Sequence, residues 1–152
     1  MQREALHAQL DLACQLSLPA VLHVRGKHGA LLDVLHSRRQ NPPLLLHGAS
    51  LSRELLREYL ALGCRISLGG LAARSGAKKA RETAKAVPDD LLLIETDCPY
   101  QPPVPGTQSG PEDLFVVARA IAELRGTDEQ SVLDRTRENA YRFFGLMTEG
   151  CE

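Results

Sequence analysis

His23, His47 and Asp97 each close an apolar run: Ala20-Val21-Leu22-His23, Leu44-Leu45-Leu46-His47 and Leu91-Leu92-Leu93-Ile94-Glu95-Thr96-Asp97. Imidazole nitrogen and carboxylate oxygen together suit Zn, Mn or a similar divalent cation. A lone His after such a run more often meets a backbone carbonyl, and a lone Asp more often caps the next helix. The same placement in all of these runs points instead to a shared metal or catalytic site. Glu95 and Asp97 face the same way, because side chains alternate along a strand. Two carboxylates buried together need a compensating cation or proton. A metal at Asp97 meets that need; the alternative is that Glu95 meets an Arg or Lys. Arg25 follows His23 by two residues and shares its direction. A guanidinium beside a metal suits a phosphate oxygen; the alternative is a surface salt bridge. His28 stands at a helix start, either against substrate or solvated. His7, His36, Lys78 and Lys79 read as surface residues of helices.

The elements that position these residues alternate. Strands are expected near 20–24, 44–48, 64–69 and 91–97, and helices over 3–16, 28–39, 52–62, 76–86, 112–125 and 128–144. Leu6, Leu10, Ala13 and Cys14 share a face of the first helix, and Leu31, Leu32 and Leu35 a face of the second. Ser50 or Ser52 caps the third, and Gly63 stands where a helix-terminating glycine belongs. Pro19 and Pro88 punctuate, since the residue before a proline avoids the α region. A Pro- and Gly-rich loop runs over 98–111. Continuous apolar strands alternating with helices predict an α/β fold with a parallel sheet covered on both faces. In such folds ligands bind at the carboxyl ends of strands, where His23, His47 and Asp97 stand.

The 152 residues predict one domain, 1–152, with room for a core. The 18 Lys+Arg against 19 Asp+Glu give a net charge of -1, which argues against a domain that coats nucleic acid by charge alone. It leaves room for an enzyme that grips a few phosphates. No apolar run is long enough to cross a bilayer, so no membrane partner is expected. Polar residues interrupt the first stretch, so a secretory leader is not expected and a cytoplasmic location is. The cysteines, Cys14, Cys64, Cys98 and Cys151, form no CxxC pair. They read as buried or half-buried thiols plus a loose tail thiol rather than a disulfide framework.

At these residues the sequence resembles the TatD family of metal-dependent deoxyribonucleases. The carriers are Gln9-x-x-x-Ala13-x-x-Leu16-x-Leu18-Pro19-Ala20-Val21-Leu22-His23-Val24-Arg25, Leu46-His47-Gly48, the Gly63–Gly70 stretch, Glu95-Thr96-Asp97-x-Pro99-Tyr100 and Asn139-Ala140-x-x-x-Phe143. The resemblance runs over roughly residues 3–146. It implies a (β/α)8 barrel with a divalent metal (Mg, Mn or Zn) and DNA as substrate. It implies that His23, His47 and Asp97 are metal ligands, that Asp97 is the catalytic base, that Arg25 binds the substrate phosphate and that Glu95 supports the site. Such a metal lowers the pKa of its water toward ~7.

The departures are also specific. The family's opening HxH pair and its GE-type Glu have no counterpart here. A full barrel takes roughly 250 residues, so the expectation is the C-terminal (βα)4 half, truncated at the N-terminus and impaired for want of those ligands. Ala49 stands where the family usually has an aromatic, and Ser109-Gly110-Pro111 where it has Asn-x-Pro. The open sheet edges then call for the missing half or for self-association. The alternative reading is a catalytically inactive relative that binds a metal or a partner. A further alternative is hydrolysis of amides or esters, since the ligands alone do not separate these from phosphodiesters.

Overall fold

In a computed structural model, which describes residues 2–146, the chain is a parallel sheet of four strands. The strands are β1 (Ala20–His23), β2 (Leu44–His47), β3 (Arg65–Leu68) and β4 (Leu92–Ile94), paired in chain order. The helices are α1 (Gln2–Gln15), α2 (His28–Ser37), α3 (Arg53–Ala61), α4 (Lys78–Ala86), α5 (Asp113–Arg125) and α6 (Glu129–Phe144). Every expected element is present, with ends shifted by a few residues. The largest shift is in β4, which stops at Ile94 rather than Asp97. Glu95 still donates its N–H to the Leu68 carbonyl (3.0 Å), so the pairing runs one residue past the strand. Short 3-10 turns at Gly70–Ala73 and Asp89–Leu91 interrupt what read as plain loop and strand.

The helix ends follow local chemistry. Ser52 accepts the Leu55 N–H at 3.3 Å and Asp128 the Ser131 N–H at 2.9 Å, which satisfies donors that a helix start leaves free. Gly63 takes φ +72 just past α3, and Cys64 N–H returns to the Tyr59 carbonyl.

Strand alternation sorts the core. Leu22, Leu44, Leu46, Ile66, Leu68 and Leu92 point into the helical layer and join Leu10, Val34, Tyr59 and Ile121 in the main cluster. Their alternates face the other way. There Leu45 and Leu93 pack only against Phe143 and Ala140 of α6, a small second cluster. Arg65 lies over the Phe143 ring at 5.2 Å, and its Nε has no acceptor among the described residues. The expectation of a sheet covered on both faces therefore fails at β1. Val21 is 52% exposed, because β1 is an edge and α6 does not reach it. A groove of about 820 Å3 separates α1 from β1, and of the apolar face of α1 only Leu10 is fully buried.

Asn139 fastens the last helix to the sheet. It is buried, and its Nδ2 donates to the carbonyls of Asp89 (2.7 Å) and Leu92 (2.8 Å), on either side of the start of β4. Arg125 does the same for α4, reaching the carbonyls of Ala84 and Val87, both at 2.7 Å. Cys64 is buried and Cys14 half-buried, as expected, but Cys98 is exposed because it rides on the loop above the sheet. Cys151 lies outside the described residues. No described helix is long and apolar enough to cross a membrane.

Candidate metal centre

The register of β1 on β2 sets His23 directly beside His47. Their rings stand 5.3 Å apart, centre to centre, tilted by 34°. Two imidazoles meet at neighbouring strand ends because Ala20-Val21-Leu22-His23 and Leu44-Leu45-Leu46-His47 pair without a stagger. His47 then faces the segment that leaves β4. Its Nδ1 lies 2.8 Å from Glu95 Oε2, and its Nε2 lies 3.7 Å from Asp97 Oδ1. Glu95 and Asp97 turn the same way, as strand alternation required, although only Glu95 is still paired to β3.

Glu95 is the most heavily bonded group of the site. Its Oε1 accepts the Gly48 N–H at 2.7 Å, and its Oε2 accepts the Ser67 hydroxyl as well as facing His47 Nδ1. The Glu95 and His47 side chains are 18% and 20% exposed, against 41% for Asp97. No Arg or Lys reaches Glu95 through any of these contacts, so the alternative expected for it gives way to a histidine, a hydroxyl and a backbone N–H.

These groups line a cavity of about 490 Å3 together with Arg25 and Tyr100. Arg25 is exposed at the rim. Tyr100, 71% exposed, was legible only as part of a motif. The floor is backbone: Gly69 and Gly70 follow β3, and the 98–111 loop crosses close above. A Cβ on Gly70 would fall on the Gln101 carbonyl oxygen and 2.9 Å from Pro103 N. Arg74 holds the same loop, donating from Nε (2.9 Å) and Nη2 (2.6 Å) to the Pro102 carbonyl.

His28 belongs elsewhere. Its Nδ1 pairs with the Tyr59 hydroxyl of α3 at 2.9 Å, so the half-buried ring is not turned to the cavity. Burial holds its pKa below the ordinary imidazole value. Burial also pushes the Tyr59 hydroxyl up to about 12, with Cys64 adding to the rise. Ser67 and the Gly48 N–H were missed. Ser67 is the one uncharged polar residue in Arg65-Ile66-Ser67-Leu68, which was the available signal.

The donor set, two imidazoles and a carboxylate on one cavity, fits a divalent cation in chemical type. His47 turns one ring nitrogen to each carboxylate, Nδ1 to Glu95 and Nε2 to Asp97 Oδ1 at 3.7 Å, which is beyond a hydrogen bond. Yet among the described residues no three His, Cys, Asp or Glu side chains stand in ligating geometry together. The structure brings His23 to His47 and His47 to Asp97, but does not close the trio.

The model of the TatD-related DNase family matches residues 1–145. The chain belongs to this family. It is 33% identical to the uncharacterized metal-dependent hydrolase YabD of Bacillus subtilis, over 96% of this chain and 58% of that protein. It is 35% identical to the 3'-5' ssDNA/RNA exonuclease TatD of Pectobacterium atrosepticum, over 95% of this chain and 59% of that protein. Among solved structures it superposes on the TatD homologue YjjV of Escherichia coli with a TM-score of 0.82 and 31% identity. That match covers 90% of this chain and 54% of that one. A TatD-family hydrolase of Entamoeba histolytica superposes with a TM-score of 0.80 at 16% identity, which shows the same fold. The chain thus spans little more than half the length of these relatives.

Proposed function

We propose that this chain carries the strand-end metal site of a TatD-type hydrolase that cleaves phosphodiester bonds of DNA. The observation that carries the reading is the pairing of His23, His47 and Asp97 around one cavity at the carboxyl ends of β1, β2 and β4. His23, His47 and Asp97 would hold the cation, Mg, Mn or Zn. Bound there, it would supply Lewis-acid polarisation of the phosphoryl oxygen and a more acidic water. Asp97, the most exposed of the carboxylates on His47, accepts the proton of the attacking water. Arg25 at the rim offers its guanidinium to a phosphate oxygen. The relative named as an ssDNA/RNA exonuclease supports nucleic acid as the substrate class.

The sheet contributes four of the eight strands of such a barrel. Among the described residues both edges, β1 and β4, pair with no further strand, and α6 packs on the lower part of the face that bears the site. A complementary set of strands, from a longer polypeptide or a second copy, closes the barrel in this reading and covers Val21.

A second reading is a catalytically inactive relative that binds a metal or a partner: the cavity lined by His23, His47 and Asp97 offers donors that a cation or a partner group occupies without turnover. One experiment separates the two: cleavage of a single-stranded oligonucleotide with Mg2+, Mn2+ or Zn2+ and with EDTA, beside Asp97→Ala. Loss of a general base costs roughly 10²–10⁴-fold. Metal-dependent cleavage that falls by that factor in the variant supports the hydrolase. A folded sample inert with every metal overturns it in favour of binding alone.

A further inference from the structure

Resting on the metal reading above, we infer that Glu95 is the positioning residue of the site: it holds His47 by Nδ1 and so leaves Nε2 as the ring nitrogen that takes the cation. A carboxylate two residues from Asp97 and in contact with a candidate ligand invites assignment as one more ligand. Its bonding is against that. Oε1 is taken by the Gly48 N–H at 2.7 Å, and Oε2 by the Ser67 hydroxyl and by His47 Nδ1 at 2.8 Å. An ionised carboxylate has about four lone-pair directions, and these partners use most of them.

The consequence for His47 follows from proton counting. A neutral imidazole carries one N–H and one lone pair. Glu95 as a carboxylate only accepts, so the proton sits on Nδ1 and the lone pair on Nε2. Nε2 lies 3.7 Å from Asp97 Oδ1, beyond hydrogen-bond reach, and is therefore uncommitted. A cation between the two satisfies both. Metal-binding histidines commonly donate their second ring N–H to a carboxylate, which fixes the tautomer and the ring direction. Here the carboxylate is itself fixed from two other strands: Gly48 follows β2, and Ser67 lies on β3, the neighbour of β4. His47 is thus braced across the sheet before any metal arrives, whereas His23 has only the ring contact with His47 to orient it among the described residues.

The test reads the tautomer directly. Long-range nitrogen–proton correlation spectra of the metal-free, 15N-histidine-labelled full chain, recorded at alkaline pH, should show His47 protonated on Nδ1. Glu95→Leu should return it to the Nε2–H form that free side chains prefer. Calorimetric titration with Mn2+ should show affinity weakened roughly 10–100-fold in Glu95→Leu and partly restored in Glu95→Gln, whose amide oxygen still accepts from Nδ1. Asp97→Ala should lose affinity with the His47 tautomer unchanged, which separates a ligand from a positioning residue. Should Glu95→Leu fail to fold, the wild-type tautomer and Ser67→Ala, which frees one anchor of Glu95 and should weaken Mn2+ binding by less, carry the test. A wild-type ring protonated on Nε2, or Mn2+ affinity unchanged in a folded Glu95→Leu, overturns the inference. Nδ1 protonation in a wild-type chain that takes up no Mn2+ upholds Glu95 as the orienting group and overturns the metal reading instead.

Discussion

Replacing Asn139 with Ala should cost this fold about 2–4 kcal/mol, although the residue is far in sequence from every candidate site residue. Its Nδ2 donates to the carbonyls of Asp89 and Leu92 at 2.7 and 2.8 Å, and the side chain is 1% exposed. Each such bond is worth about 1 kcal/mol net. The Leu92 carbonyl, whose bond is buried, costs roughly 1–3 kcal/mol when left without a donor, whereas Asp89 is exposed and its carbonyl is open to water. The sum exceeds the bonds alone because Ala removes the donor and leaves both acceptors in place. In a chain of this size 1 kcal/mol moves Tm by about 2–4 °C, so Tm should fall by about 5–15 °C. Urea unfolding followed by far-ultraviolet circular dichroism measures it, with an unchanged m-value showing that stability alone has moved. Asn139→Asp sharpens the point: a carboxylate cannot donate, so it should cost more than Ala at neutral pH and recover partly in acid, once protonated. A loss below about 1 kcal/mol for Asn139→Ala, or an Asp variant milder than the Ala variant, refutes the reasoning.

Gly70→Ala should lower stability by about 1–3 kcal/mol, as overpacking does, because its Cβ would strike the Gln101 carbonyl; faster proteolysis within 98–111 should accompany the lower Tm. Burial depresses the His28 pKa from 6.5 in the folded chain, so the unfolded chain binds that proton more readily. The stability His28 contributes is present above that value and lost as pH falls below it, and His28→Gln should flatten that part of the stability–pH curve. Arg25→Ala should raise KM for a single-stranded oligonucleotide more than it lowers kcat. It should also reduce the salt slope of binding by about 0.7, the value of one phosphate contact on a single strand. An unchanged slope sinks the phosphate role.

Most of the architecture was legible because its causes are local. Leu31, Leu32 and Leu35 recur at helical spacing, and each lies buried in α2. Ser52 and Gly63 bound α3 as their chemistry dictates. The pairing of His23 with His47 was legible as a repeat of one strand-end pattern, since parallel register carries like positions to like heights. What was not legible depends on groups distant in sequence. Nothing near Glu95 announces Ser67 or the Gly48 N–H, because pairing across the sheet alone brings them together. His28 read as facing either substrate or solvent because its partner, Tyr59, comes from the next helix. The exposure of Val21 is a property of a strand's place in the sheet order, which its own apolar run does not encode.

The strictly sequential order of the strands has a consequence for how the chain reaches its native state. Ala20 meets Leu44, Leu45 meets Arg65, and Ile66 meets Leu92, so each strand finds its partner by closing a loop of about 20–26 residues. Closure entropy grows only by about 0.6 kcal/mol per doubling of loop length, so the successive pairings carry similar penalties. The pairing that joins β1 to β2 also assembles the two imidazoles, within the first 47 residues of the chain. The register of β1 on β2 alone therefore sets the histidine pair, whereas Asp97 joins it only through the pairing of β3 and β4.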